Sequence, residues 1–179
     1  LFHPDNDSLT RDDEFTPDGE RHWSFYRYHN KLNQMAKAIL SIGAWDPPAI
    51  VGLEEIENRE VINDLISTPV LNKIPYRVVH YDSEDRRGID VALIYRKDRF
   101  TLIYSRKIRP LYQGASNYRT RDILYVKGTA ISGDTLHLFV CHWPSRYAGQ
   151  AISEPRRMAV SKLLRNFTDS VLGDDPNAN

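Results

Sequence analysis

The chain has 179 residues, 41% of them hydrophobic and 27% charged, the balance of an ordinary globular domain. That length accommodates one domain with a sizeable core and excludes two large ones. No apolar run approaches the ~18 residues of a membrane span, and the single cysteine, Cys141, excludes an internal disulfide framework and a Cys-rich zinc site. The 24 basic and 24 acidic side chains cancel but are unevenly spread. Residues 1–72 hold 6 Lys/Arg and 13 Asp/Glu, residues 73–128 hold 13 and 6, and residues 129–179 hold 5 and 5. A neutral total argues against a protein that coats nucleic acid through bulk charge. The basic middle suits one phosphate-lined groove, or arginines that solvate the outer face of a sheet; charge alone favours the second.

Residues 1–23 are polar and acidic, with Pro4, Pro17 and Gly19, and read as a long surface loop. They show no basic n-region or apolar h-region of a signal peptide. Residues 24–42 carry Phe25, Tyr28, Leu32, Met35, Ala36, Ile39 and Ile42 at three-and-four spacing, which predicts an amphipathic helix stopped by Gly43 and Pro47–Pro48. Residues 49–56 read as a short buried strand, and Asn58 as the cap of a helix through Ile66. Strands follow at 76–82, 89–96, 100–108, 123–131 and 135–143, with Gly133–Asp134 as a tight hairpin between the last two. Ser153 is the expected cap of a final helix, with Pro155 in its first turn, an apolar stripe of Val160, Leu163, Leu164, Phe167 and Val171, and an end at Gly173. This order gives an α/β (α+β) class with largely antiparallel sheet. It lacks the regular alternation of a doubly wound nucleotide fold, and no GxGxxG or GxxxxGK[ST] run is present.

Three segments carry chemistry. GLEEIEN (52–58) puts acids at the end of a buried strand, where a carboxylate is a hard oxygen ligand suited to Mg²⁺ or Mn²⁺. The same Glu54, Glu55 and Glu57 also suit the first turn of the following helix, where acids favour the dipole. FVCHWPSR (139–146) puts His142, a proton carrier near neutral pH, at another strand end. TRDILYV (120–126) puts Arg121, a residue type that clamps phosphate, just before a strand; its alternative is a surface ion pair with Asp122. Cys141 alternates away from His142 and reads as core rather than as a catalytic partner. Asn6-Asp7-Ser8 and Asn166-Phe167-Thr168 match the glycosylation tripeptide, a pattern too common to set a compartment.

The runs NKLNQMAKAI, IVGLEEIEN, DRRGIDVALIYR, TRDILYVKG and LHLFVCHWPSR cover most of residues 30–146, and in that order the chain resembles the metal-dependent endonuclease/exonuclease/phosphatase family. The resemblance implies a two-sheet β-sandwich with flanking helices. It implies metal-assisted hydrolysis of a phosphodiester or phosphomonoester, with nucleic acid among the substrates expected. Glu55 matches the family's metal-binding Glu, with Glu54 where the commonest form has Gln, so Mg²⁺ (or Mn²⁺) is the expected cofactor. His142 and Arg121 match the catalytic, phosphate-contacting His and Arg. Ser145, Arg87 and Asp90 are candidates for the substrate phosphate, and Asp90 equally for anchoring its loop.

The chain departs from the family pattern at both ends. The opening strand with its Asn, the Gly-Asp-x-Asn motif after the last helix and the closing Asp-His pair are not in LFHPDND…GDDPNAN. Residues 1–179 are therefore expected to form a single but incomplete domain, inactive alone. The alternative is a catalytically incomplete binding or interaction module. Missing facing strands would leave an apolar sheet face open, so a dimer or a complementary fragment is the further expectation.

Overall fold

The computed structural model describes residues 1–5, 12–112, 119–147 and 149–179. Its first helix, Phe25–Ile42 (α1), begins where the sequence places it: the Ser24 side chain accepts the backbone N–H of Arg27 and satisfies one free donor of the first turn. The strand Ile50–Ile56 (β1) leads into Arg59–Ser67 (α2), capped by Asn58, whose Oδ1 accepts from the Val61 N–H at 3.0 Å. Then come Tyr76–His80 (β2), Asp90–Arg96 (β3), Phe100–Ile108 (β4), Ile123–Ala130 (β5), Thr135–Val140 (β6) and the long helix Gln150–Asp174 (α3).

The strands form two antiparallel three-stranded sheets, ordered β1-β3-β2 and β4-β5-β6. Alternation along β3 sets the layers. Ala92 and Ile94 pack with Leu53 and Ile56 of β1 against Tyr28, Leu32 and Ala36 of α1 and Val61, Ile62 and Leu65 of α2. Val91 and Leu93 turn the other way and meet Phe100, Leu124 and Val126 between the sheets. On the far side of the second sheet, Tyr125 and Phe139 hold the Phe167 ring of α3 at centroid distances of 4.8 and 5.6 Å. Each sheet thus has a helix on its outer face and its partner sheet on the inner one, the arrangement of a sandwich. Gly128 is fixed by this packing, because a Cβ there would stand 2.2 Å from the Phe100 ring.

Several expectations need correction. The last strand ends at Val140, so Cys141, His142 and Trp143 lie beyond the sheet. Cys141 is half-buried rather than core, and burial pushes its thiol up to about 11. The final helix starts three residues before Ser153; Gly149 is its cap, and the buried Ser153 hydroxyl donates back to the Gly149 carbonyl at 2.8 Å. Gly173 lies inside the last turn. Residues 1–23 are not a plain surface loop: Phe2 is buried, stacks on Phe15 at 4.1 Å, and accepts the Trp23 indole N–H on its carbonyl at 2.8 Å. Three aromatic side chains in a polar stretch recruit it to the core edge, with a 3₁₀ turn at Asp13–Phe15. Asn6-Asp7-Ser8 lies outside the described residues. The open apolar sheet face is not seen: among the described strand residues, the exposed large apolar side chains are Ile103 and Tyr104 of β4. The dimer or complementary fragment argued from such a face therefore loses its ground.

Candidate active site

Glu55 owes its position to a fault in the strand ladder. The β1–β3 register runs one-to-one from Ile50 opposite Tyr95 to Glu54 opposite Val91, then slips so that Ile56 pairs with Asp90. Glu55 is the extra residue of a β-bulge, with φ of +57°. A bulge bends its strand and re-aims one side chain, and a left-handed glutamate is a backbone conformation that costs free energy. The Leu1 ammonium donates to the Glu55 carbonyl, and the His3 N–H donates to the Glu57 carboxylate, so the first residues lie along the bulge.

His142 arrives from the other sheet, two residues past β6. Its Nε2 stands 3.8 Å from Glu55 Oε1, with the Glu55 side chain 67% exposed and the His142 side chain 19% exposed. Its Nδ1 is buried without a hydrogen-bond partner among the described residues. Burial lowers the His142 imidazole below its ordinary value; Arg121 and Arg87 push the same way, while Glu54 and Glu55 oppose them. The ring is therefore neutral at pH 7, with one nitrogen able to donate and one to accept.

Arg121 lies two residues before β5 and is 6% exposed. It is not the surface partner of Asp122. Its Nη1 donates to Asp85 Oδ2 at 3.1 Å and its Nη2 to the Trp143 carbonyl at 3.0 Å, which ties it to the segment that carries His142. Arg87 grips the same Asp85 through Nε and Nη2, each at 3.2 Å. Burial acts to raise the Asp85 carboxyl, but the hydrogen bonds from Arg87 and Arg121 outweigh it and hold it below the usual carboxylate range. Ser145 is exposed, its Oγ accepting the Tyr147 N–H at 3.1 Å. Asp90 stands apart: it accepts the Ser83 N–H at 2.9 Å and faces His80 at 3.3 Å, the loop-anchoring arrangement.

Asp85 is the residue that sequence reasoning missed. DRRG (85–88) is a turn in which the Gly88 N–H donates to the Asp85 carbonyl and the Arg87 N–H to its carboxylate. An Asp opening such a turn, with Gly at φ of +62° closing it, is a legible turn signal. Its ties to Arg121 need the fold. The neighbouring Glu84 likewise binds Arg109 at 2.6 Å, and Arg119. Acids of the SEDRRG loop thus hold Arg109, Arg119 and Arg121 of the β4–β5 connection.

A two-sheet sandwich with flanking helices, bringing a bulged acid, a histidine and anchored arginines to one rim, is an α+β fold. The model of the Endonuclease/Exonuclease/phosphatase family matches residues 1–179, and the chain belongs to that family. No curated protein matches the sequence significantly. Among solved structures, TDP2 from C. elegans is similar at a TM-score of 0.61 and 18% identity, over 87% of this chain and 41% of that one. D. rerio TDP2 complexed with single strand DNA product aligns at 0.53 and 20%, over 83% and 51%. A mannosyl-6-phosphatase from Bacteroides thetaiotaomicron aligns at 0.58 and 13%, over 84% and 54%. Identities this low show a shared fold. The chain spans about half the length of these proteins or less.

Proposed function

We propose that the protein carrying this chain is a divalent-metal-dependent phosphoester hydrolase. The observation that carries the reading is the pair Glu55–His142 at 3.8 Å, in which an acid displaced from its strand ladder meets a histidine held neutral. Family membership supports a phosphate ester as substrate, and two similar structures are named for a phosphatase and for a complex with a DNA product.

The donor set fits Mg²⁺ or Mn²⁺. Mg²⁺ keeps several waters and takes one or two carboxylates, and Glu55 offers one solvent-facing carboxylate beside His142. Bound there, the metal would supply stabilisation of charge developing on the phosphoryl oxygens. The chain's own residues do the rest. Arg121 is fixed by Asp85 and the Trp143 carbonyl, so its remaining N–H groups are set in place before an anion arrives. Arg87 adds positive charge beside it, and the Ser145 hydroxyl donates to a phosphate oxygen. Neutral His142 binds a phosphate oxygen through N–H or takes a proton through its free nitrogen. Asp90 is engaged with His80 and the Ser83 N–H, and is assigned the loop-anchoring role here.

The test is Mg²⁺-dependent turnover, by the full protein that carries this chain, of single-stranded DNA and, separately, of a chromogenic phosphomonoester, which together distinguish nuclease from phosphatase action. Glu55→Gln and His142→Ala are each expected to lower the rate about 10²–10³-fold, the loss typical of one electrostatic or proton-handling group. Turnover of either substrate that survives both substitutions unchanged overturns the reading.

A further inference from the structure

A second carboxylate–imidazole group lies apart from the Glu55–His142 pair. His80, at the end of β2, is 2% exposed in its side chain, and its Nε2 stands 3.3 Å from Oδ2 of Asp90, which is 5% exposed. Among the described residues that nitrogen has no hydrogen-bond partner. The contact with Asp90 is close but not aligned as a hydrogen bond. Asp82 brings Oδ1 to 3.9 Å from Nδ1 of the same ring, on a side chain that is 87% exposed. One donor atom from each of His80, Asp82 and Asp90 lies within 4.8 Å of the others.

Asp122 is also buried, and neither of its carboxylate oxygens has a hydrogen-bond partner among the described residues; Lys107 and Arg109 stay 3.8 and 3.7 Å away. Asp122 and Asp90 line one partly open space of about 10 Å³, with Ser83 and Lys107, roughly the volume of a single water-sized sphere; His80 and Asp82 do not line it. The spacing of the donors is informative as well. Two ligands at ~2.0–2.1 Å from a tetrahedral Zn²⁺ stand about 3.3–3.4 Å apart, the distance between His80 Nε2 and Asp90 Oδ2.

We propose that His80, Asp82 and Asp90 form a binding site for a divalent cation of the Zn²⁺ class, sharing no ligand with Glu55. An imidazole with two carboxylates selects such an ion over Mg²⁺, which prefers oxygen alone. The ion takes the buried His80 nitrogen and Asp90, and draws in the exposed Asp82 carboxylate. It ties the end of β2 to the start of β3 beneath the SEDRRG loop.

The experiment is equilibrium dialysis of Zn²⁺ against the chain with excess Mg²⁺, in a Glu55→Gln/His142→Ala background so that the Glu55–His142 pair contributes no ligand. The expected result is one retained Zn²⁺, lost in His80→Gln and held at least tenfold more weakly in Asp82→Ala. Co²⁺ in place of Zn²⁺ should give visible absorption that disappears in the same two variants. Asp82 is exposed, so its substitution leaves the fold intact and decides the matter even if His80→Gln does not fold. No stoichiometric Zn²⁺ in the background protein, or retention unchanged in Asp82→Ala, overturns the proposal.

Discussion

Glu55–His142 and Asp90–His80 are the same chemical pair in opposite surroundings. In the first, the carboxylate reaches solvent and the two groups stand 3.8 Å apart at the rim of both sheets. In the second, both groups are enclosed, 3.3 Å apart. The first comes from two different sheets and exists because a bulge pushes Glu55 out of its ladder. The second comes from hydrogen-bonded neighbours, β2 and β3, in regular register. An open pair can exchange water for a substrate oxygen. A closed pair can hold only what fits between its members. Burial and backbone path, not residue type, therefore separate the two pairs.

The largest effect expected comes from the support under the open pair. Asp85→Ala removes the carboxylate that faces buried Arg121 and grips Arg87. Leaving a buried charge unpaired costs ~3–5 kcal/mol, and Arg121 keeps its bond to the Trp143 carbonyl, so the lower end is expected. Urea unfolding of the variant against the parent measures it, and Glu55→Gln, on an exposed side chain, should stay within ~0.5 kcal/mol. An Asp85→Ala midpoint equal to that of Glu55→Gln would mean that the rim is not built on this buried anchor.

Much of this was legible in the sequence, and the reason is local. Asn58 is a cap whose partner lies three residues away, so that helix start could be read directly; Ser24, inside the span expected to be helical, caps the first helix in the same way. The strands follow their alternation, which is also local. Glu55 and His142 could be singled out because each ends an apolar strand. That they meet at all depends on a bulge and on sheet stacking, which no spacing encodes. Ser153 misled because Ser resembles a cap, whereas its hydroxyl bonds back to the preceding turn and the chain is already helical from Gln150. His80 and Asp85 escaped notice because their meaning lies in partners 10 and 36 residues away.

A smaller effect sharpens the contrast between bulged and regular strand. Glu55 holds φ of +57°, a conformation costing a non-glycine residue about 1–2 kcal/mol. Glu55→Gly removes that cost but adds freedom to the unfolded chain, worth about 0.5–1 kcal/mol in the opposite sense. The expected net is a stabilisation of up to ~1 kcal/mol together with loss of hydrolysis. A variant less stable than Glu55→Gln would show that the left-handed backbone at the bulge carries no strain.

The smallest effect is a pH dependence that the open pair should show. Burial, with Arg121, lowers the His142 imidazole in the folded state, against Glu54 and Glu55. The unfolded chain, with an ordinary value of about 6.5, then binds the proton at a higher pH than the folded one does. Stability is complete above that value, declines as pH falls through it, and levels off once the folded imidazole is also protonated. His137, also lowered by burial, contributes in the same sense, so the His142 share must be read as a difference between parent and His142→Asn. Unfolding midpoints from pH 7.5 to 5 should fall more steeply in the parent. Glu55→Gln removes an anion that opposes the shift, so the decline should steepen further in that variant. Parent and His142→Asn profiles that superimpose would mean that this ring is solvated like a free histidine, and the electrostatic half of the comparison would fail.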